Sequence, residues 1–449
     1  MNDQLFFEDS LKKQMIIFAV PLVCTSILLQ LFNTADTAMA GHFIGKDALA
    51  AVGGTMTFTS FLIEFFVGFS NAACVIVGLL LGRGDRRNAN KAVNTSITVA
   101  LILGLFMAVA GFLSVDAILK LMAIPDNIIE AAAIYLRIYF LGTPFLMLYN
   151  FCAAVFRSKG CTKIPMVCLV LGGALKLTAN FVFVVIWSLG ITGMAISTVC
   201  ANALSAVLLI VFLMRRDDEL KLSHKLQKPD KKCILQILKI GLPSSFLGSV
   251  FSISNLCVQA AVNSLGSDVM AACSAAVGIE IYIQFFGNAF AQAATTFTSQ
   301  NYGARKTERL NKITVAALLL CSAVTVTLSF LAFGASNKLL RIFVTDGAII
   351  ALAISRMKYT LLFKPVQAVM DIMSGCLQGY GYTLVPAIIS AFTVCGFRLV
   401  WVYTVFAGDR TLETLMRIYP ITQSIAAVSH TICYLFLQRK IRRQYSKQN

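Results

Sequence analysis

Ionisable side chains set inside apolar runs are the residues of this sequence that could do chemistry. In "LGGALKLTANFVFVVIW", Leu171–Trp187, Lys176 and Asn180 stand one helical turn apart in a stretch that is otherwise almost wholly apolar. Asp36, Glu64, Glu280 and Asp371 are the acids of such runs, and Arg137, Lys176, Arg356, Lys358, Lys364 and Arg398 are the bases. A charge at the centre of a bilayer costs about 2.5–3.5 kcal/mol on insertion scales, so these residues mark binding or passage of ions, protons or charged solutes. Covalent chemistry is not indicated. The sequence has no HExxH, no GxSxG and no phosphate-binding glycine loop, and His42, His224 and His430 are dispersed. The thirteen cysteines form no CxxC pair and have no histidine at metal-ligand spacing. Cys24, Cys74, Cys168 and Cys395 lie in apolar runs, so the expectation is reduced core thiols, with no metal site, no cofactor and no enzyme activity.

The elements that must position these charges are membrane spans. The chain has 449 residues, of which 58% are hydrophobic and 13% charged, and its mean hydropathy is +0.78. The opening "MNDQLFFEDSLKK" is polar and charged and does not resemble a signal peptide. Apolar runs of about 20–30 residues predict twelve helices, near 15–40, 48–81, 92–114, 128–157, 163–187, 190–214, 236–264, 270–300, 311–336, 349–377, 383–407 and 411–438. Alternate loops are basic: "RGDRRNANK", "RSKGCTK", "RRDDELKLSHKLQKPDKK", "ARKTERLNK" and the tail "RKIRRQYSK". The others, among them "GHFIGKD" and "NSLGSD", are poor in Lys and Arg. This bias predicts a multi-pass protein with both termini in the cytoplasm. The net charge of +17 is then explained by loops beside anionic lipid, and no nucleic-acid partner is expected. One turn on the basic side, "QGYGY" (378–382), breaks the pattern by carrying no charge.

The sequence is also internally repeated. Pro21 and Asn33 match Pro243 and Asn255, each 222 positions later. Gly45, Asp47, Pro144 and Pro165 match Gly266, Asp268, Pro365 and Pro386 at 221. Six helices per repeat, an even number, enter the membrane from the same side, so the repeats are parallel. The expected fold is all-α, with two six-helix bundles at 1–214 and 236–449 joined by a basic cytoplasmic linker at 215–235. Such an architecture suits a carrier working by alternating access, with the linker long enough to permit rocking.

"LFNTADTAMAGHFIGKDALAAVGG" resembles the first-helix signature of the multidrug and toxic compound extrusion (MATE) transporters, and "YLRIYFLGTPFLMLYNFCAAVFRSKG", "LGITGMAISTV" and "RLVWVYTVF" are similar to the bacterial branch of that family. The resemblance covers essentially 10–440. It implies a monomeric antiporter of the bacterial plasma (inner) membrane that exports small organic, cationic or amphipathic compounds, driven by inward H+ or Na+. It also implies that Asp36 binds the coupling cation or proton. The family's fifth helix reads like LNxxLD, with Asn and Asp completing that site; here the stretch is "LKLTAN", so Lys176 replaces the Asn and Asn180 the Asp. The sixth-helix threonine maps to Thr198, or to Ser197 one position earlier.

At about 1.5 Å per residue, Asp36, Asn180, Lys176 and Thr198 fall roughly 8–16 Å below the outer ends of their helices, and the expectation is a Lys176–Asp36 pair in which the ammonium fills the place of a bound cation. The second half has Val258 at the position of Asp36. There the candidates are Glu280, Lys358, Asp371 and Arg398, with a Glu280–Arg398 contact expected and Arg137 as the partner of Glu64. Gln284, Asn288, Gln292 and Gln300 form a polar stripe expected to face the bundle interior. The excess of intramembrane Lys and Arg keeps a lipid-linked oligosaccharide flippase of the same superfamily as the alternative.

Overall fold

A computed structural model of the chain describes residues 11–122, 124–223 and 228–446. The described residues are helical, with no strand among them. Backbone polar groups in a bilayer find no water and must satisfy one another within the segment. The chain begins with α1 (Leu11–Met39), α2 (Lys46–Gly82), α3 (Arg86–Leu121), α4 (Asp126–Leu141), α5 (Thr143–Ser158), α6 (Lys163–Asn180) and α7 (Gly190–Met214). It continues with α8 (Lys231–Asn263), α9 (Ser267–Gly303), α10 (Thr307–Gly334), α11 (Ser336–Leu340), α12 (Gly347–Leu361) and α13 (Lys364–Gly379). It ends with α14 (Leu384–Ser390), α15 (Phe397–Tyr403), α16 (Val405–Gly408), α17 (Leu412–Met416) and α18 (Ile418–Ser446). Wider π-helical turns at Ala40–Ile44, Phe181–Ile186 and Ala391–Gly396 are built into three of the spans.

Among the described residues ten helical runs are long and apolar enough to cross a membrane, and α4 with α5, bent by 47°, makes an eleventh. The twelfth, expected as one helix over 349–377, is broken into α12 and α13, each too short to span alone. Both breaks fall at repeat-matched prolines, Pro144 and Pro365, at the start of α5 and α13. Proline lacks an N–H and crowds the carbonyl four residues back, so it starts a helix more readily than it continues one. At the first break Thr143 Oγ1 lies 2.7 Å from the Phe140 carbonyl oxygen, which Pro144 leaves without its helical donor, and 3.1 Å from the Gly104 carbonyl oxygen of α3.

The chain packs as two compact units, Cys24–Leu242 and Met1–Val23 with Pro243–Asn449. Their borders fall inside α1 and α8, beside the repeat-matched Pro21 and Pro243. In the unit Cys24–Leu242 the core is built on Phe66, Phe69, Phe140, Met147, Phe151 and Phe156. Two glycines of α6 set its position. A Cβ on Gly172 would fall 2.0 Å from Ser205 Oγ of α7, and one on Gly173 would fall 1.9 Å from the Phe32 ring of α1. Only a hydrogen there allows α6 to sit close to both helices.

The basic linker is not slack where it is described. Glu219 pairs with Lys159 at 2.7 Å and Arg86 at 2.9 Å, and Asp218 pairs with Lys159 at 3.1 Å and with Arg216. Asn90 Nδ2 donates to the Lys221 carbonyl at 2.7 Å, and the Ser223 N–H donates to Asn94 Oδ1 at 3.0 Å. These bonds fasten residues 216–223 to α3 and the end of α5; linker residues 224–227 lie outside the described set.

In the other unit α9 packs against α10, α12 and α13. A Cβ on Gly375 or Gly379 of α13 would fall 2.6 Å from a backbone oxygen of α9, and Thr295 Oγ1 donates to the Gly375 carbonyl at 2.9 Å. This close crossing brings the polar stripe of α9 against α12 and α13.

Candidate functional site

The expected pair forms in the unit Cys24–Leu242. Lys176 Nζ of α6 donates to Asp36 Oδ2 of α1 at 2.5 Å, and Asn180 Nδ2 donates to Asp36 Oδ1 at 2.8 Å. Both carboxylate oxygens are therefore engaged. Asp36 is 7% exposed, Lys176 9% and Asn180 0%. The Ser197 hydroxyl of α7 contacts Asn180 Oδ1 and lies 2.9 Å from the Met194 carbonyl oxygen. Ser197, not Thr198, is the α7 member of the cluster: Thr198 Oγ1 donates to the Met194 carbonyl at 3.1 Å instead. Neighbouring helix positions point about 100° apart, so the one-residue choice decides which hydroxyl faces α6.

Charge balance makes this burial tolerable. An isolated carboxylate or ammonium would lose several kcal/mol of hydration, while a hydrogen-bonded neutral pair offsets much of that. The helix widens beside the cluster on two elements. The π-helical turn Phe181–Ile186 follows Asn180 directly, with the Trp187 N–H donating to the Val182 carbonyl at 2.9 Å, and Ala40–Ile44 follows α1 within a turn of Asp36. Such turns are frequent at functional sites. No composition signal in "ANFVFVVIW" announces one.

Glu64 and Arg137 do not meet. Arg137 Nη2 donates to both oxygens of Asp116, at 2.9 Å each, across α3 and α4. Helices α3 and α4 are joined by a short connection and pack side by side, so the nearer acid takes the guanidinium.

The second unit holds a larger polar assembly, and its pairing differs from expectation. Glu280 of α9 receives Arg356, with Nε and Nη2 each 3.4 Å from a carboxylate oxygen, and Thr360 Oγ1 donates to Glu280 Oε1 at 2.5 Å. Arg398 does not reach Glu280. Its Nη1 donates to Asn255 Oδ1 at 2.9 Å and Ser254 Oγ at 3.2 Å on α8, and its guanidinium lies 4.5 Å from the centre of the Tyr419 ring. Depth along a helix places Glu280 and Arg398 at one level but says nothing of direction around the bundle. Lys358 is exposed, its ammonium 5.8 Å from the Tyr359 ring centre, and takes no part in the assembly. It stands two positions after Arg356, about 200° of rotation, so one points inward and the other out.

Beside this pair lies a network of amides. Lys364 Nζ donates to Gln284 Oε1 at 2.7 Å and Gln367 Oε1 at 2.9 Å. Gln367 Nε2 donates to Gln284 Oε1 at 2.7 Å, and Gln284 Nε2 to Asn288 Oδ1 at 3.0 Å. Asp371 stands at the edge of this group, with Oδ2 3.5 Å from where a Cβ of Gly287 would be. Of the expected stripe of α9, Gln284 and Asn288 thus take part in the network. Lys364 and Arg356 stand among the intramembrane bases of the sequence, but nothing there singles them out as site residues; the Gln284–Lys364 spacing carries no sequence signal, because the partners are 80 residues apart.

One signal in the sequence could have found the partner of Arg398. Lys176 and Arg398 are 222 positions apart, as are Asn33 and Asn255. In each unit this cation bonds to the first helix of its repeat, Lys176 to Asp36 of α1 and Arg398 to Ser254 and Asn255 of α8. The repeats differ in what receives the cation, a carboxylate in one and neutral oxygens in the other.

The MatE family model matches residues 21–182 and again 243–404, two stretches displaced by 222 positions at both ends. The chain is 27% identical over 399 residues to a probable multidrug resistance protein, YoeA of Bacillus subtilis, covering 87% of this chain and 86% of that protein. It is 22% identical to the multidrug export protein MepA of Staphylococcus haemolyticus, covering 85% and 84%. Its fold is similar to the crystal structure of MATE in complex with MaL6, with a TM-score of 0.91 at 20% identity over 98% of this chain and 99% of that one.

Proposed function

The chain belongs to the MatE family, and on that premise we propose that it is an antiporter that exports small organic compounds, cationic or amphipathic, in exchange for protons. It is a multidrug efflux transporter of twelve membrane-spanning helices, a reading in which the export proteins among its relatives do not favour the flippase alternative. The basic loops support cytoplasmic termini and a plasma-membrane location, and each unit carries its own polar cluster, which supports a monomer as the working form.

The observation that carries the coupling assignment is the Lys176–Asp36 pair at 2.5 Å. A sodium site needs several oxygen ligands around net negative charge. Here the ammonium already neutralises the carboxylate, and Asn180 supplies an amide donor to its other oxygen. Sodium would have to displace a tethered cation. A proton need only neutralise Asp36, which would free Lys176 and remove the attraction between α1 and α6. Protonation of one carboxylate thus becomes a change in how two helices hold together.

The test is efflux of a fluorescent lipophilic cation from proteoliposomes containing the full chain, with sodium and proton gradients imposed separately. An inward proton gradient is expected to drive efflux and a sodium gradient to add nothing. Saturable sodium-driven efflux that Asp36→Asn abolishes would overturn the assignment. In the double variant Lys176→Asn/Asn180→Asp, which restores the oxygen-rich pattern, sodium dependence is expected to appear.

A further inference from the structure

The uncharged turn "QGYGY" has a structural counterpart. In the unit Met1–Val23 with Pro243–Asn449, a cleft of about 680 Å³ opens between the end of α13, the start of α14 and the last turns of α18. Leu377 and Val385 line one wall, and Phe436 and Leu437 the other. Its rim is Arg439, Lys440 and Arg443, and no acidic residue lines it. Phe436 is 67% exposed, and the three cations are exposed as well.

The position of this cleft follows from helix length. At about 1.5 Å per residue, the 29 residues of α18 exceed the roughly 30 Å hydrocarbon core, and the basic end lies at the membrane boundary. Phe436, Arg439, Lys440 and Arg443 follow one another at i, i+3, i+4 and i+7, so they share a face. An apolar trough that ends in three cations at that boundary matches a molecule with a hydrocarbon chain and an anionic head. A free anion would use the rim and leave the trough empty. Of the uncharged turn Tyr382 lines the cleft, while α18 supplies the charge of that corner.

We propose that this cleft binds an anionic phospholipid, with an acyl chain along Leu377, Val385, Phe436 and Leu437 and the headgroup phosphate at Arg439, Lys440 and Arg443. The site is separate from the clusters assigned to transport, and its failure would leave the export reading untouched.

Native mass spectrometry of the purified full-length protein tests it, with phosphatidylglycerol, phosphatidylcholine and inorganic phosphate as probes. Phosphatidylglycerol is expected to bind in preference to phosphatidylcholine. The variant Arg439→Gln/Lys440→Gln/Arg443→Gln is expected to weaken it by about tenfold or more, since basic residues near an anionic surface each add to the attraction. Phe436→Asn is expected to weaken it while leaving the charges in place. The charge-matched control Arg83→Gln/Arg87→Gln/Lys91→Gln is expected to bind like the wild type. Equal binding of both lipids, or equal loss in the control, would overturn the site. Displacement by millimolar inorganic phosphate would show that the rim binds a free anion, and would overturn the lipid assignment. Should the rim variant fail to fold, the Phe436→Asn variant and the wild-type lipid comparison decide the matter.

Discussion

Lys176 is informative because it is buried against a carboxylate whose other hydrogen-bond donor, the Asn180 amide, carries no charge. Removing one member of a buried pair leaves a charge that costs about 3–5 kcal/mol, whereas removing both leaves an apolar or neutral contact. Lys176→Met is therefore expected to destabilise the protein strongly, and Asp36→Asn/Lys176→Met to recover most of the loss, as read by thermal unfolding in detergent. Additive losses in that cycle would mean that the pair is not coupled. The same logic separates Arg356 from Lys358: Arg356→Met takes from Glu280 its ion-pair partner, while Lys358→Met touches no partner of the assembly. A large loss of thermal stability is expected in the first and little change in the second. Which intramembrane residues are charged was plain from the sequence. Which of them meet was not, because Glu280 had bases at its own depth on several helices and depth does not encode azimuth.

At the level of elements, two glycines decide whether the Asp36 cluster can form. Gly173→Ala places a methyl within the Phe32 ring, and overpacking of this kind costs about 1–3 kcal/mol. The expected result is lower stability and lower transport, both partly restored by Phe32→Ala. The linker offers a pH test. Burial alone would raise the Asp218 carboxyl, but the Arg216 guanidinium and the Lys159 ammonium override it and hold the group at about 2, below its ordinary 3.8. A carboxyl depressed in the folded state stabilises fully above its ordinary value, and that contribution is lost as pH falls through the folded one. Docking of residues 216–223 is thus expected to persist at pH 5 and to weaken between about pH 4 and pH 2. Pepsin cleavage of the linker would report it, and Asp218→Asn would be expected to lose the step. The composition of the linker suggested a solvated tether; the acids Asp218 and Glu219, set among its basic residues, are what dock it.

At the scale of the whole molecule, the repeat is both the clearest message of the sequence and its incomplete one. Its offset was legible from prolines, glycines and asparagines, and the same prolines mark the breaks at Pro144 and Pro365. Carrying the offset on to Lys176 assigns Arg398 to α8 by residue numbers alone. The repeat also makes a prediction. Val258, 2% exposed, occupies the place of Asp36, and Arg398 Nε is buried with no hydrogen-bond partner among the described residues. Val258→Asp is expected to be far better tolerated with Arg398 present than in an Arg398→Met background, as read by thermal unfolding of the purified protein. Equal destabilisation in both backgrounds would show that the two cations do not occupy equivalent surroundings.

The sequence by itself determined the helical class, the twelve spans, the parallel repeat and the list of charges that a membrane would not hold without reason. These follow from properties that act along the chain: run length against bilayer thickness, loop charge, and proline spacing. Tertiary structure alone decided that Ser197 rather than Thr198 completes the Asp36 cluster, that Glu280 takes Arg356, and that α1 and α8 each contribute to both compact units. Those outcomes depend on the rotation of each helix about its axis and on close approaches at single glycines. Bilayer hydrophobicity is nearly blind to both, because lipid rewards any apolar face equally, while packing and buried ion pairs reward only one arrangement.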